Sequence, residues 1–230
     1  TTTTFTIVLT AKPDSSGVIF DISSSDIGEA RIDPSMVTIT DASWNEFHTV
    51  TITGIDDHII DGSQNVTITV SVNPASDANF TALSDQSFNI TNLDDDVAGF
   101  TLTQPALTVD ESGTTATFTI VLDAKPDSSG VIFDISSSDI GEATIDPSMV
   151  TITDTSWNDP HTVTITGIDD HIIDGSQNVT ITVSVNPDSD ANFVDLSSQT
   201  VIVTNRDDDV AGFTLTQQAL TVDESGTTTT

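Results

Sequence analysis

A near-exact internal repeat constrains this chain more than any other feature. Residues 5–96 align without a gap on 118–209, with 14 differences in 92 positions. Residues 97–117 align on 210–230 with two differences, Pro105/Gln218 and Ala116/Thr229. The period is 113 residues, so one fold must serve every copy. The repeat divides the chain into a unit over 1–96 without its first strand, a complete unit over 97–209, and the first strand of a third over 210–230. Thr1–Thr4 and Thr227–Thr230 stand at the same phase, inside an expected strand, and the chain is expected to be a window on a longer array. Near-identical copies point to a spacer or fibre more than to catalysis.

Within the complete unit, apolar residues alternate with hydroxyl-bearing ones. Val163 and Ile165 alternate with Thr162, Thr164 and Thr166; Val179, Ile181, Val183 and Val185 alternate with Thr180, Thr182 and Ser184. A period of two marks strands with one buried face and one wet face, and no window has a helical period. Seven such runs are expected, at 99–109, 115–122, 131–135, 149–153, 162–168, 179–185 and 200–204, with turn-rich stretches such as 124–130 between them. Pro105 interrupts the first run, which predicts a split strand at a sheet edge. The predicted fold is all-β: tandem seven-stranded antiparallel Greek-key β-sandwiches of immunoglobulin-like architecture.

Charge narrows the function. The chain carries 36 acidic and 4 basic residues, a formal charge of −32. A nucleic-acid partner is excluded, because affinity for phosphates comes from Lys and Arg, and docking on an anionic membrane is disfavoured for the same reason. Membrane insertion is not expected, since no apolar stretch approaches the ~18 residues a spanning helix needs. There is no cysteine, so neither disulfides nor thiol chemistry contribute. Repulsion on this scale opposes compaction and calls for bound or ambient cations.

Strand parity says where the acids go. In an antiparallel sandwich the ends of the first, third, fifth and seventh strands lie at one tip. Asp110-Glu111, Asp139 with Glu142, Asp169-Asp170 with Asp174, and Asp207-Asp208-Asp209 follow those strands, so ten of the unit's 19 acids converge there from four segments. One Asp-Asp pair in a turn needs only water. Four acidic segments at one tip need a counter-charge. Oxygen donors without His or Cys in the cluster fit a hard cation, and calcium (Ca2+) accepts six to eight oxygens in flexible geometry. His58 and His171 lie within the acidic loops and are expected to be exposed rather than ligands.

Val109-Asp110-Glu111-Ser112-Gly113-Thr114, the run Phe118–Leu122, the stretch Trp157–Ile165, Asp169-Asp170 and the terminal Asp triplet together resemble a Calx-β domain. The resemblance covers the whole unit. It implies a calcium-binding sandwich of the kind found in sodium–calcium exchangers and in large repetitive bacterial surface proteins. It also implies ligands from Glu111, Asp139, Asp169, Asp170, Asp174, Asp207, Asp208 and Asp209. The counterparts in the other copy are Asp26, Asp56, Asp57, Asp61, Asp94, Asp95 and Asp96, and Glu224 begins a third site. The family commonly has Glu where Asp174 stands and often another acid where Gln64 and Gln177 stand; a neutral amide there weakens the site or removes one ion.

No catalytic constellation is present: His161 and His171 lie on opposite sides of one expected strand, and no Gly-x-Ser-x-Gly elbow occurs. The expectation is a non-enzymatic structural repeat, extracellular or on a cell surface, forming a calcium-stiffened fibre, filament or adhesin stalk. Its partners are neighbouring repeats or copies of itself in a filament. The alternative is an adhesive module that recognises a receptor or glycan through the divergent stretch 81–93 against 194–206.

Overall fold

Alternation of β-branched residues with threonine gives each copy two sheets that bury one face against each other. The computed structural model describes residues 1–216 and 224. The first unit contains β1 (Thr2–Ile7), β2 (Val18–Ser24), β3 (Ala30–Asp33), β4 (Met36–Ile39), β5 (His48–Gly54), β6 (Gln64–Val72) and β7 (Gln86–Asn92). They form sheets of order β1-β5-β3 and β4-β2-β6-β7. The complete unit contains β8 (Phe100–Leu102), β9 (Ala106–Asp110), β10 (Thr115–Leu122), β11 (Val131–Ser137), β12 (Ala143–Asp146), β13 (Met149–Ile152), β14 (His161–Gly167), β15 (Gln177–Val185) and β16 (Gln199–Arg206). Its sheets run β12-β14-β10-β8 and β13-β11-β15-β16-β9.

Nine segments stand where seven strands are expected, because two strands change sheets midway. β8 pairs with β10 in one sheet, and β9 then pairs with β16 in the other. The crossing lies at Gln104, in the left-handed region at φ 58°, and Pro105. β12 pairs with β14 and β13 pairs with β11, and the cis peptide Asp146–Pro147 lies between them. The sequence reading passes over β12, since Ala-Thr-Ile-Asp is too short to show alternation. It also makes every pair antiparallel, whereas β9 runs parallel to β16. Both halves of each split strand run the same way, so the parity survives. β9, β11, β14 and β16 end at one tip, where β10, β12 and β15 begin.

Each unit has its own core. Phe118, Ile120, Phe133, Ile165, Ile181 and Phe193 are fully buried in the second; Val18, Ile39, Val50, Ile52 and Ile68 fill the first. Each large apolar side chain so buried contributes about 1.5–3 kcal/mol. Among the described residues the first unit has no counterpart of β8 and β9. Phe5 and Ile7 are therefore only half-buried where Phe118 and Ile120 are closed off. Phe88 is 38% exposed and rests edge-on against Phe5 at 5.1 Å, where Val201 is fully buried. The expected first strand of a third unit falls largely outside the described residues; residues 210–216 form no strand.

Candidate metal centre

Four segments bring carboxylates to the tip where β14 ends. Glu111 follows β9, Glu142 precedes β12, Asp169, Asp170 and Asp174 lie in the loop after β14, and Asp207–Asp209 follow β16. Ligand-capable atoms lie within 4.8 Å of one another in three groups: Glu111, Asp170 and Asp209; Glu142, Asp170 and Asp174; Asp169, His171 and Asp209. Asp170 and Asp209 each belong to two groups, which is the arrangement of carboxylates that bridge adjacent cation positions. The first unit repeats the pattern with Glu29, Asp57 and Asp61, and with Asp56, His58 and Asp96.

The backbone holds these groups in place. Asn205, fully buried, donates through Nδ2 to Glu142 Oε2 and to the Ile168 carbonyl, both at 3.0 Å. Asn92 does the same for Glu29 and Ile55, at 3.0 and 2.7 Å. Gly167 is required by close approach: a Cβ there would collide with the Asp110 carbonyl oxygen and fall 2.7 Å from Asn205 Oδ1. The loop is tied to the terminal triplet, since the Gly175 amide donates to Asp207 Oδ2 and the Asp209 amide to Asp207 Oδ1, each at 2.8 Å. Asp169 and Asp170 each accept one loop amide, from His171 at 3.1 Å and Ile172 at 2.7 Å. Each keeps its second oxygen for another partner.

The electrostatics are those of a site short of positive charge. Glu111 is 2% exposed, and burial pushes its carboxyl up, helped by the charges of Asp207, Asp170 and Glu142; a backbone amide at Asp208 opposes this. Burial likewise raises Asp209, with Asp169 adding to it and His171 opposing. Asp96, its counterpart, is raised by burial and by Asp56. Three buried side-chain atoms among the described residues lack a hydrogen-bond partner: Glu111 Oε2, Asp209 Oδ2 and Asn205 Oδ1. All three are oxygens at this one tip. Orphaned buried acceptors are costly, and a hard cation is the partner that satisfies oxygens alone. The donor set therefore fits calcium.

A profile of the Calx-beta domain matches residues 1–96 and again 93–209. The chain belongs to the Calx-beta family. No curated protein sequence matches it. Among solved structures it is similar to CBD12 from CALX1.2, with 12% identity over 89% of this chain and 93% of that one, at a TM-score of 0.40. It is also similar to the E. coli chaperone DraB, with 12% identity over 50% of this chain, at a TM-score of 0.36; the match spans 59% of DraB. A protein from Porphyromonas gingivalis W83 matches at 10% identity over 84% of this chain and 87% of that one, at a TM-score of 0.32. Calx-beta domains are regulatory or binding modules, and the family is one that binds calcium.

The tip brings some of the residues expected as ligands together and leaves others apart. Glu111, Asp169, Asp170, Asp174 and Asp209 come together, as do Asp56, Asp57, Asp61 and Asp96. Asp207 and Asp94 brace the loop, the latter through the Gly62 amide at 2.7 Å. Asp208 and Asp95 are exposed and stand outside the clusters, and so do Asp139 and Asp26. The last two spend an oxygen on the amides of Gly141 and Gly28, each at 2.9 Å, closing turns. Glu224 joins no cluster among the described residues, and most of the third site it begins lies outside them. Glu142 and Glu29, three residues further along, stand in the clusters where Asp139 and Asp26 do not. His58 and His171 are exposed, as expected, yet each falls within a carboxylate group rather than outside it, with His171 Nδ1 2.8 Å from Asp169 Oδ1, and both have left-handed backbones. Asn205 and Asn92 carry no sequence signal beyond ending the strand before the Asp triplet.

The first unit's acidic loop also touches the second Calx-beta unit. The His58 carbonyl accepts from the Lys125 amide at 2.8 Å, and Ile59 bridges to Lys125. Ile60 packs against the second core, and its carbonyl accepts from Asn192 Nδ2 at 3.4 Å. The His58 ring lies 5.2 Å from that of Trp157. Only Val97–Gly99 separate the Asp triplet from β8. One loop thus carries the carboxylates on one side and the inter-unit contact on the other.

Proposed function

We propose that the chain is a structural repeat of an extracellular fibre, filament or adhesin stalk, stiffened by Ca2+ at the joints between units. The observation that carries this reading is the double use of the 54–62 loop. Asp56, Asp57 and Asp61 face the candidate metal centre, while His58, Ile59 and Ile60 contact the next sandwich. Fixing the carboxylates fixes the residues between them. With the acids unpaired, their mutual repulsion pushes the loop and the Asp94–Asp96 triplet apart, and that triplet leads directly into β8. A bound cation supplies the missing positive charge. Asn92 and the Gly62 amide, by orienting Glu29 and Asp94, keep the oxygens converged for it. The joint then passes from a flexible hinge to a defined angle.

Small-angle scattering of the two-unit chain in calcium and in chelator tests this. The expected result is a longer maximum dimension and a narrower distance distribution with calcium; identical curves overturn the reading. The adhesive alternative draws less support. Much of the divergent stretch lies on β7 and β16, where Phe88 and Val201 pack at the edge beside β1 or beneath β9.

A further inference from the structure

We propose that the first unit pairs side by side with the first unit of a second copy, each placing Phe47 in a groove of the other and Glu46 on its Arg31. This goes beyond calcium stiffening and does not depend on it. The groove lies on one long side of the sandwich. β3 is the edge of one sheet and β4 the edge of the other, and the chain crosses between them at Pro34. A groove of about 450 Å3 opens there, lined by Ile22, Ile27 and Ile32 together with Ser23, Ser35 and Arg31. Ile27 is 81% exposed. Arg31 is also exposed and makes no ion pair among the described residues, although the chain carries 36 acidic side chains.

The occupant is carried by the loop between β4 and β5. Phe47 is 74% exposed there, an aromatic ring that neither core absorbs, and Glu46 beside it is exposed as well. A single exposed phenyl is ordinary. What gives this one meaning is where the two units differ. The second unit keeps the apolar lining as Ile135, Ile140 and Ile145, yet has Thr144 for Arg31, Asp159 for Glu46 and Pro160 for Phe47. Three of the 14 differences between the aligned stretches therefore fall on this groove and this loop. They change together: the unit with a cation at the groove is the unit with a phenyl ring and the longer acid in the loop. Arg31 and Glu46 are complementary, since a guanidinium takes a carboxylate through two parallel N–H donors.

Both places stay open when units follow one another. Ile27 is exposed with the second unit in place, and Pro160 is exposed although the first unit's loop is docked on the same tip of its sandwich. The joint covers neither the groove nor the loop. Their placement also sets the symmetry. Ser23 and Ile27 lie where β2 gives way to β3, toward the metal centre, whereas β4 ends and β5 begins at the far tip. Groove and loop thus stand toward opposite tips of the side that β3 and β4 edge. A twofold axis across that side brings Phe47 of each copy to the groove of the other, and such a self-complementary patch closes as a pair. β3 and β4 are only four residues each, with Pro34 between them, which blunts them against simple strand addition. Contact through side chains is what this side offers. In a fibre it joins two strings of units laterally.

The test is sedimentation velocity of the 230-residue chain over a concentration series in chelator, beside Arg31→Thr and Phe47→Pro. The salt is about 0.15 M, where a Debye length of about 8 Å screens the repulsion between two acidic chains but not contacts at hydrogen-bond distance. Each variant installs the residue that the second unit carries at the same place in the same fold, so folding is kept. The expected result is a reversible wild-type dimer whose dissociation constant weakens at least tenfold in either variant. Arg31→Glu and Glu46→Arg, each alone, are expected to stay monomeric and to pair when mixed, since each supplies at both contacts the charge the other lacks. A wild type that is monomeric up to millimolar concentration, a dimer indifferent to R31T and F47P, or a mixture of R31E and E46R that does not pair overturns the proposal. A monomer that binds octanoate, with that binding lost in R31T, assigns the groove to a small carboxylate and overturns the pairing too. Because the readout is taken without calcium, its failure leaves the stiffening account standing, and identical scattering curves in calcium and chelator leave the pairing standing.

Discussion

The two tips of each sandwich bury carboxylates in opposite ways. At the tip away from the clusters, Asp190 is 4% exposed and accepts the amides of Asp127 at 2.6 Å and Asn192 at 2.8 Å. Its counterpart Asp77 accepts the amides of Asp14 and Asn79, and these bonds hold its carboxyl below the ordinary range. At the other tip Glu111 and Asp209 are raised, and each keeps an oxygen without a partner. The side chains are chemically alike; what differs is whether the protein supplies donors. A buried carboxylate given backbone amides is a brace. One that keeps an oxygen without a donor is open to a ligand from outside.

The largest effect expected from this contrast is that of calcium on stability. Each occupied position adds about 2.7 kcal/mol at a hundredfold excess over its Kd. Thermal unfolding in calcium and in chelator therefore separates by several degrees or more for each position filled, read by calorimetry. No shift at millimolar calcium would erase the distinction between the tips. Next comes Asp190→Ala, which strands two amides and is expected to cost about 1–3 kcal/mol in denaturant unfolding, equally with and without calcium. A calcium-dependent cost would show that the far tip is not a simple brace.

Glu111→Gln should act the other way. In chelator it removes one member of a repelling set, so the apo protein is as stable as wild type or more so. In calcium it lowers the affinity of the second unit at least tenfold while the first unit is unaffected. A loss of stability in chelator would show that the Asp208 amide outweighs the repulsion at Glu111.

The smallest effect is the pH dependence without metal, where the two tips have opposite signs. Glu111, Asp209 and Asp96 bind protons more tightly folded than unfolded. Their contribution to stability falls as pH rises from the ordinary carboxylate range through their raised values, then levels off. Asp77 is lowered, so its contribution is intact above the ordinary range and is lost as pH falls through its folded value. Asp77→Asn should leave only the first trend in the isolated first unit, followed by chemical denaturation between pH 3 and 7 (~ range set by ordinary carboxylate values).

Much of this was legible in the sequence because alternation and parity are coarse signals. Val163, Ile165, Val179 and Ile181 announce their strands, and counting strand reversals is enough to bring 111, 170, 174 and 209 together. What escaped was local. β12 is four residues long and switches sheets at Pro147, so no period marks it. Asp139 and Glu142 both follow β11, and only the turn closed by the Gly141 amide decides that the glutamate, not the aspartate, faces the cluster. Asn205 looks like any strand-end residue until its amide is seen between Glu142 and the Ile168 carbonyl. The contact of Ile60 with the second core is a relation between units, which periodicity within one unit does not encode.

The most direct test of the central claim is calorimetric titration of Ca2+ into the 230-residue chain, repeated in buffers of different ionisation enthalpy to count protons. If the orphaned oxygens of Glu111 and Asp209 form a calcium site, binding is saturable. It then releases protons when the pH is near their raised values, and the release fades as pH rises above them. Absence of saturable heat at millimolar calcium, or binding unaltered by Glu111→Gln and Asp209→Asn together, would contradict it.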